Sequence, residues 1–337
     1  MIILTSKEYV MNMSESLKTN NLKVYVLAPN EDWIVDRFVQ EWNDNSGLEE
    51  CKNPLDADVI WILADWAWKN ILNYVNFESL KEKIVVTTVH HIVPGKFGPA
   101  EQHDFALRDM ITDYYHVYNE NTQNFISKFT KKPIRLISYW ANDSFWNLSL
   151  SKIEARSYLK LNQDSYLIGS FQRDTEGHNL VSPKLEKGPD LFCDYVEQVA
   201  SKKSNIHVLL GGWRRQYVIK RLEDAKISYT YFERPPLDDV RKMYRSLDHY
   251  VVSARCEGGP QALIETGLMG VPCISRDIGI ARQVLPEISI KDDLISAIAS
   301  IPKTDHMHIG KVIPSYVSFF KDITNASRIT NIQGRKW

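Results

Sequence analysis

Short apolar runs recur through the first half of the chain at 22–28, 58–63, 83–89, 115–118 and 134–137, with amphipathic stretches at 33–42 and 102–111 among them. Brief runs rich in Val, Ile and Tyr read as buried strands, and apolar residues every third or fourth position read as helices. Strands alternating with helices predict a parallel sheet covered by crossover helices. Residues 2–4 (Ile-Ile-Leu) are a candidate for a further strand. A polar connection at 144–162, with a helix at 151–160, precedes a second set of the same pattern. Strands are expected at 166–171, 207–210, 229–232 and 249–254, and helices opening at Pro189 and spanning 214–225 and 238–247. A helix opening at Pro260 and stopped by Gly270 leads to a strand from Pro272, since Pro suits a first helical position and Gly the residue past the end. Residues 287–301 read as an edge strand followed by a helix at 292–300, and 314–323 as an aromatic, amphipathic closing helix.

The whole is an α/β chain of two doubly wound, Rossmann-like parallel-sheet domains. At 337 residues it fits two domains of about 150 each. We place them at 1–150 and 151–312, with 313–337 returning to the first domain as a closing helix and tail. Lys plus Arg at 41 against Asp plus Glu at 42 leaves a net charge of −1, so no global field draws the protein to nucleic acid. A local cluster of Lys128, Lys131, Lys132 and Arg135 is either a solvated helix end or a contact for an acidic surface, which leaves peripheral membrane contact open. The four cysteines, Cys51, Cys193, Cys256 and Cys273, have no metal-ligand spacing, so a reduced, cytoplasmic protein is the expectation. No apolar run reaches the length of a signal sequence or a membrane span.

The chemistry concentrates in 253–272, SARCEGGPQALIETGLMGVP. A glycine turn between a strand and a helix lies at the carboxyl end of the strand, where open α/β sheets bind ligands. Gly258 and Gly259 let backbone approach a ligand, and the amides of the following helix turn make an anion site. Glu257 in the loop and Glu265 inside the helix can face one pocket, and a carboxylate suits the paired hydroxyls of a sugar. The plainer alternative is a solvated loop glutamate and a helix-surface one; the glycines and Pro260 tip the balance toward a site. Arg173 after its strand and Lys187 before Pro189 suit a diphosphate leaving group, the alternative being two solvated surface cations. His90, with His91 as its rival, ends a strand and opens into the loop 94–98. Gly211 and Gly212 end another strand, where a nucleotide can come close. Trp66 and Trp68 either line a cleft or pack on a helix. Asp56-Ala-Asp58 has the form of a metal motif, but its place before a buried strand favours a turn or strand-entry role.

The run from Glu257 through Gly258, Gly259, Pro260 and Gln261 to Glu265, with Gly270-Val271-Pro272 after it, resembles the paired-glutamate motif of the family 4 retaining glycosyltransferases. That resemblance implies the GT-B fold, two facing Rossmann-like domains with a cleft between them. It implies that Glu257 and the amides of Gly258 to Gln261 hold the donor sugar, and Glu265 the nucleotide ribose. Arg173 and Lys187, or Lys184 in place of Lys187, would meet the diphosphate, His90 the sugar, and the turn with Phe232 and Arg234 the base. The longer segment 175–185 departs from the family, as does the glycine-free sequence 28–33 where a glycine-rich loop is usual. The implied activity is transfer of a sugar from a nucleotide-diphosphate sugar to a carbohydrate or other hydroxyl acceptor, with no cofactor and no obligatory metal. A nucleotide-sugar epimerase or hydrolase, and a non-catalytic nucleotide-sugar-binding subunit, are the rival readings.

Overall fold

The computed structural model describes residues 22–31 and 34–334. The expected strand at 2–4, the helix start at Trp33 and the last residues of the polar end lie outside them. The first five-stranded sheet runs in the order β1 (Val24–Leu27), β2 (Val59–Ile62), β3 (Ile84–Val89), β4 (Tyr114–Val117), β5 (Ile134–Leu136). The second contains β6 (Tyr166–Ser170), β7 (Ile206–Gly212), β8 (Tyr229–Glu233), β9 (His249–Val252) and β10 (Cys273–Ser275), in the order β10-β9-β6-β7-β8. Pairing is parallel at β1–β2, β2–β3, β6–β7, β7–β8, β6–β9 and β9–β10. Helices include α1 (Ile34–Asn45), α2 (Pro99–Asp109), α3 (Lys152–Tyr158), α4 (Pro189–Ala200), α5 (Gln216–Asp224), α6 (Leu237–Ser246), α7 (Gln261–Leu268) and α8 (Ile309–Gly334).

The described residues divide into two compact units, one holding those of 1–88, 108–115 and 314–337, the other those of 89–107 and 116–313. In the first unit every side chain of β2 is buried, as the unbroken run Val-Ile-Trp-Ile requires of a strand covered on both faces. Trp61 of β2 lies 5.3 Å from Trp42 of α1 and 5.2 Å from both Tyr316 and Phe320 of α8. Such aromatic contacts add about 0.5–1.5 kcal/mol each beyond area burial. They explain why the aromatic spacing of 316–320 folds as a helix.

The second unit is built on Ile168, Val208, Leu210 and Val251 of the sheet, covered by Phe192 and Val196 of α4 and Val218 of α5. Its α3 begins with a capping box in which Ser151 and Glu154 exchange hydrogen bonds. Residues 287–301 correct the expectation of an edge strand and a helix: they form two three-residue 3₁₀ turns, Glu287–Ser289 and Leu294–Ser296. The Asp293 carboxylate caps the Ile295 N–H, the Ile298 N–H bonds the Ile288 carbonyl, and Ser300 pairs with Cys273. These pairings take the backbone groups a helix would have used. Pro260 also differs from expectation, standing as the N-cap of α7 and not as its first residue. Among the described residues no helix is long and apolar enough to cross a membrane.

One anchor fixes α3 on this sheet. The Asp248 carboxylate accepts from Leu167 N at 2.7 Å, Arg156 Nη2 at 2.8 Å and Lys152 Nζ at 3.0 Å. Arg156 is buried and spends its other N–H groups on the carbonyls of Gln163, Ser165 and Ser246. Asp248→Asn leaves that guanidinium without its counter-charge, and we expect a loss of about 2 kcal/mol in urea unfolding at neutral pH. Burial pushes the Asp248 carboxyl up, but the Leu167 N–H and the two cations outweigh it and hold the pKa below the ordinary aspartate value. Its contribution is therefore complete above that ordinary value and lost as pH falls through the lowered one. The gap between wild type and variant should begin to narrow below about pH 4 and go on narrowing as the pH falls, and a gap that stays constant down to about pH 2 contradicts the assignment.

Candidate functional site

The second sheet reverses its order at β6. The chain goes from β6 outward through β7 and β8, then returns to the other side for β9 and β10. The switch point lies between β6 and β9, whose carboxyl ends open a crevice where sheets of this kind bind ligands. The segments leaving these two strands are tied together there. Phe171 N donates to Tyr250 Oη at 2.8 Å, and the Gln172 amide reaches the Lys187 carbonyl at 2.7 Å and Ser253 Oγ at 3.3 Å.

The glycine loop after β9 is held closely within the larger unit. A Cβ on Gly258 would overlap the His90 carbonyl, and one on Gly259 would overlap the Tyr139 ring. Asn119 donates to the Gly258 carbonyl at 2.6 Å, and His90 Nδ1 lies 3.2 Å from Tyr139 Oη. The Tyr139 ring stacks on Tyr118 at 3.4 Å, and His90 packs edge-on against Tyr118 at 5.1 Å. His90 is buried against the loop, and His91 is half-buried. Gly188, at φ 62°, has no room for a side chain against the Ser253 carbonyl. The Glu186 carbonyl accepts from the N–H groups of Arg255 and Cys256. The segment carrying Lys187 therefore lies directly on the loop carrying Glu257, and the two side chains form an ion pair, both mostly buried.

Glu265 is buried in α7 and accepts a hydrogen bond from Tyr244 Oη at 2.9 Å; burial and that carboxylate hold the Tyr244 phenol well above its ordinary pKa. Gln261 has both its side-chain amide atoms buried and unpaired by protein. Unsatisfied groups of this kind call for a ligand or a special role.

The cations gather at the same end of the sheet. Arg173 Nε donates to the Thr175 carbonyl at 2.8 Å; burial, then the charge of Arg214, lowers its pKa. Lys184 lies 3.6 Å from Glu186, and burial lowers its pKa despite that partner. Glu186 also takes Lys96 at 3.0 Å; its burial is outweighed by its own N–H and the Lys96 ammonium, and its pKa is lowered. Lys187 is thus the lysine joined to the paired-glutamate loop, and Lys184 the one joined to Glu186. Gly211 packs under Phe171 and Met243, and the Gly212 carbonyl accepts from Arg234 N and Tyr231 Oη, both at 3.1 Å. Phe232, next to last in β8, is half-buried. Sequence reasoning passed over Tyr139, for which no local signal exists. It also missed Asn119, which reads simply as a helix N-cap, and the Trp213-Arg214-Arg215 run, although this run directly follows the two glycines.

In the smaller unit the glycine-free loop after β1 is closed by its own acid. Asp36 accepts from the N–H groups of Asn30, at φ 55°, and Glu31, at 3.1 and 2.9 Å. Trp68 belongs to the apolar core, so packing is its use, and exposed Trp66 bonds Glu31 at 3.0 Å. Asp58 accepts the Lys23 N–H at 2.9 Å, the strand-entry role its position implies. Among the described residues no group of three or more His, Cys, Asp or Glu side chains is placed to hold a metal ion.

Comparison with known proteins adds two findings. A search of curated protein sequences returned no match. Among solved structures the chain is similar to Anabaena HepE in complex with UDP and glucose, with a TM-score of 0.59 at 14% identity over 83% of this chain and 79% of that one. It is similar to sucrose-phosphate synthase from Thermosynechococcus elongatus, with a TM-score of 0.56 at 15% identity over 82% and 73%. It is similar also to a glycosyltransferase from Rickettsia africae, with a TM-score of 0.57 at 13% identity over 89% and 93%. Residues 179–301 match the family model described as glycosyl transferases group 1, a segment that carries Lys187, Trp213, Glu257 and Glu265. The chain has the GT-B fold, its two five-stranded parallel-sheet α/β units matching these glycosyltransferase structures.

Proposed function

We propose that the protein is a family 4 retaining glycosyltransferase that moves a sugar from a nucleoside-diphosphate sugar to a hydroxyl acceptor without an obligatory metal. The observation that carries this reading is the Lys187–Glu257 ion pair on the glycine loop at the β6–β9 switch point. It sets the cation suited to a phosphate against the carboxylate suited to a sugar. Similarity to HepE, whose structure holds UDP and glucose, supports a uridine donor as the first to try.

In this reading Glu265, held by Tyr244, accepts the ribose hydroxyls, while Glu257 and the Gln261 amide orient the sugar. Arg173 and Lys187 neutralise the diphosphate as its bond to the anomeric carbon breaks, doing by charge what a metal would do elsewhere. The acceptor oxygen bonds the same face of the anomeric carbon, and its proton passes to the departing phosphate oxygen. His90, fixed through Tyr139, borders the sugar. No protein base is assigned.

The test is transfer and donor hydrolysis with UDP-glucose and other nucleotide sugars, the products resolved by anomeric configuration. Arg173→Ala should lower kcat about 10²–10³-fold, the usual effect of removing a group that stabilises transition-state charge. Glu265→Gln keeps an acceptor for Tyr244 and should raise the donor KM about tenfold while leaving Tm within a degree or two. Full activity in both variants contradicts the site. Isomerised donor, or free sugar as the main product beside hydroxyl acceptors, favours the epimerase or hydrolase reading.

A second outcome follows from the close fit of the loop. Gly258→Ala must move the His90 carbonyl or the loop, so transfer should fall at least about tenfold, since ångström-scale displacement carries penalties of this order. Retained wild-type kinetics in that variant contradicts the placement of His90 beside the sugar.

A further inference from the structure

Beyond the residues assigned so far, one side chain stands out at the carboxyl end of β7. Trp213 is 43% exposed, large for an indole in the middle of a ligand-binding sheet edge. Three guanidiniums surround it: Arg234 at 4.4 Å from the ring centroid, Arg214 at 5.4 Å and Arg173 at 5.5 Å. They come from the ends of three adjacent strands, β6, β7 and β8, and the recorded hydrogen bonds of the Arg173 and Arg214 guanidiniums go to backbone carbonyls, those of Thr175 and Gly177. Both Arg214 (φ 60°) and Arg234 (φ 44°) hold left-handed backbone, sparsely populated for such side chains. The Arg234 N–H to Gly212 carbonyl bond keeps the β8 end beside the indole. Like charges gathered around an exposed ring repel one another, and a flat anionic ligand relieves that repulsion while covering the ring.

We propose that Trp213, backed by Arg234, is the platform on which the donor's nucleobase stacks, with the neighbouring guanidiniums meeting the charge of the phosphates. The proposal rests on the nucleotide-sugar reading of the same site, and it names a base-binding residue which that reading does not contain. Aromatic stacking on a base tolerates any base, so Trp213 supplies affinity for the nucleoside and leaves the choice of base to other groups.

The experiment titrates the whole protein with UDP, with GDP and ADP run beside it, and separately with inorganic pyrophosphate. Wild type, Trp213→Ala and Trp213→Phe are compared. Trp213→Ala should weaken nucleoside diphosphate binding about tenfold and leave pyrophosphate unchanged, while Trp213→Phe, which keeps a flat ring, stays within about threefold of wild type. Should the alanine variant lose its ligand-free Tm, Trp213→Leu replaces it as an apolar side chain without a ring. Nucleotide binding equal to wild type in the variant without a ring overturns the proposal and leaves the donor reading standing. An equal loss of pyrophosphate also overturns it, because the indole then serves only to hold the arginines. Wild type that binds none of the nucleotides overturns the donor reading and the proposal together.

Discussion

The buried pair of Arg215 and Asp174 is the constraint on which the carboxyl end of the second sheet depends. Both side chains are 1% exposed, and Arg215 Nε meets Asp174 Oδ2 at 2.8 Å. The same guanidinium bonds the carbonyls of Ser170 and Gly211, so one side chain closes the ends of β6 and β7 together. Asp174 in turn accepts from Tyr217 N at the start of α5, and its own N–H bonds the Arg214 carbonyl. Burying two charges gives little net stability, but removing one partner of such a pair costs about 3–5 kcal/mol. The pair therefore acts as a lock. Its immediate neighbours in sequence are Arg173 on one side and Arg214 on the other, which is how two repelling cations come to share one indole.

The glycine loop after β9 is shaped by a different force, the absence of room. Gly258, Gly259 and Gly188 each sit where any side chain would run into backbone or an aromatic ring. Close approach places Lys187 against Glu257 and His90 against the loop, and leaves the Gln261 amide without a protein partner. A lock under one half of the crevice and close packing under the other give a preorganised site, in which charged groups are held before a ligand arrives.

Much of this was legible in the chain. Parallel strands showed as unbroken apolar runs, and within the described residues every expected strand except the edge strand at 287–301 forms, because a strand buried on both faces has few other readings. The paired glutamates, the two glycines and Pro260 marked the candidate site by their order alone. What stayed hidden depends on long-range packing. Tyr139 touches His90 across 49 residues, and Asn119 reaches Gly258 across 139. The segment 287–301 misled because its helical spacing was outbid by pairing with β10 and by the Asp293 cap. In the loop after β1 the absence of glycine was visible, but not that Asp36 would bind the freed N–H groups.

On the function proposed above, a nucleoside diphosphate lies across the carboxyl ends of β6, β7 and β9. Amide hydrogen exchange of the whole protein, followed by mass spectrometry with and without saturating UDP, tests it most directly. Slowed exchange concentrated in 171–175, 211–215 and 253–265, and reproduced by no change elsewhere in the larger unit, is the result the structure predicts. Slowed exchange confined to other segments, with these three unchanged at saturation, would contradict it.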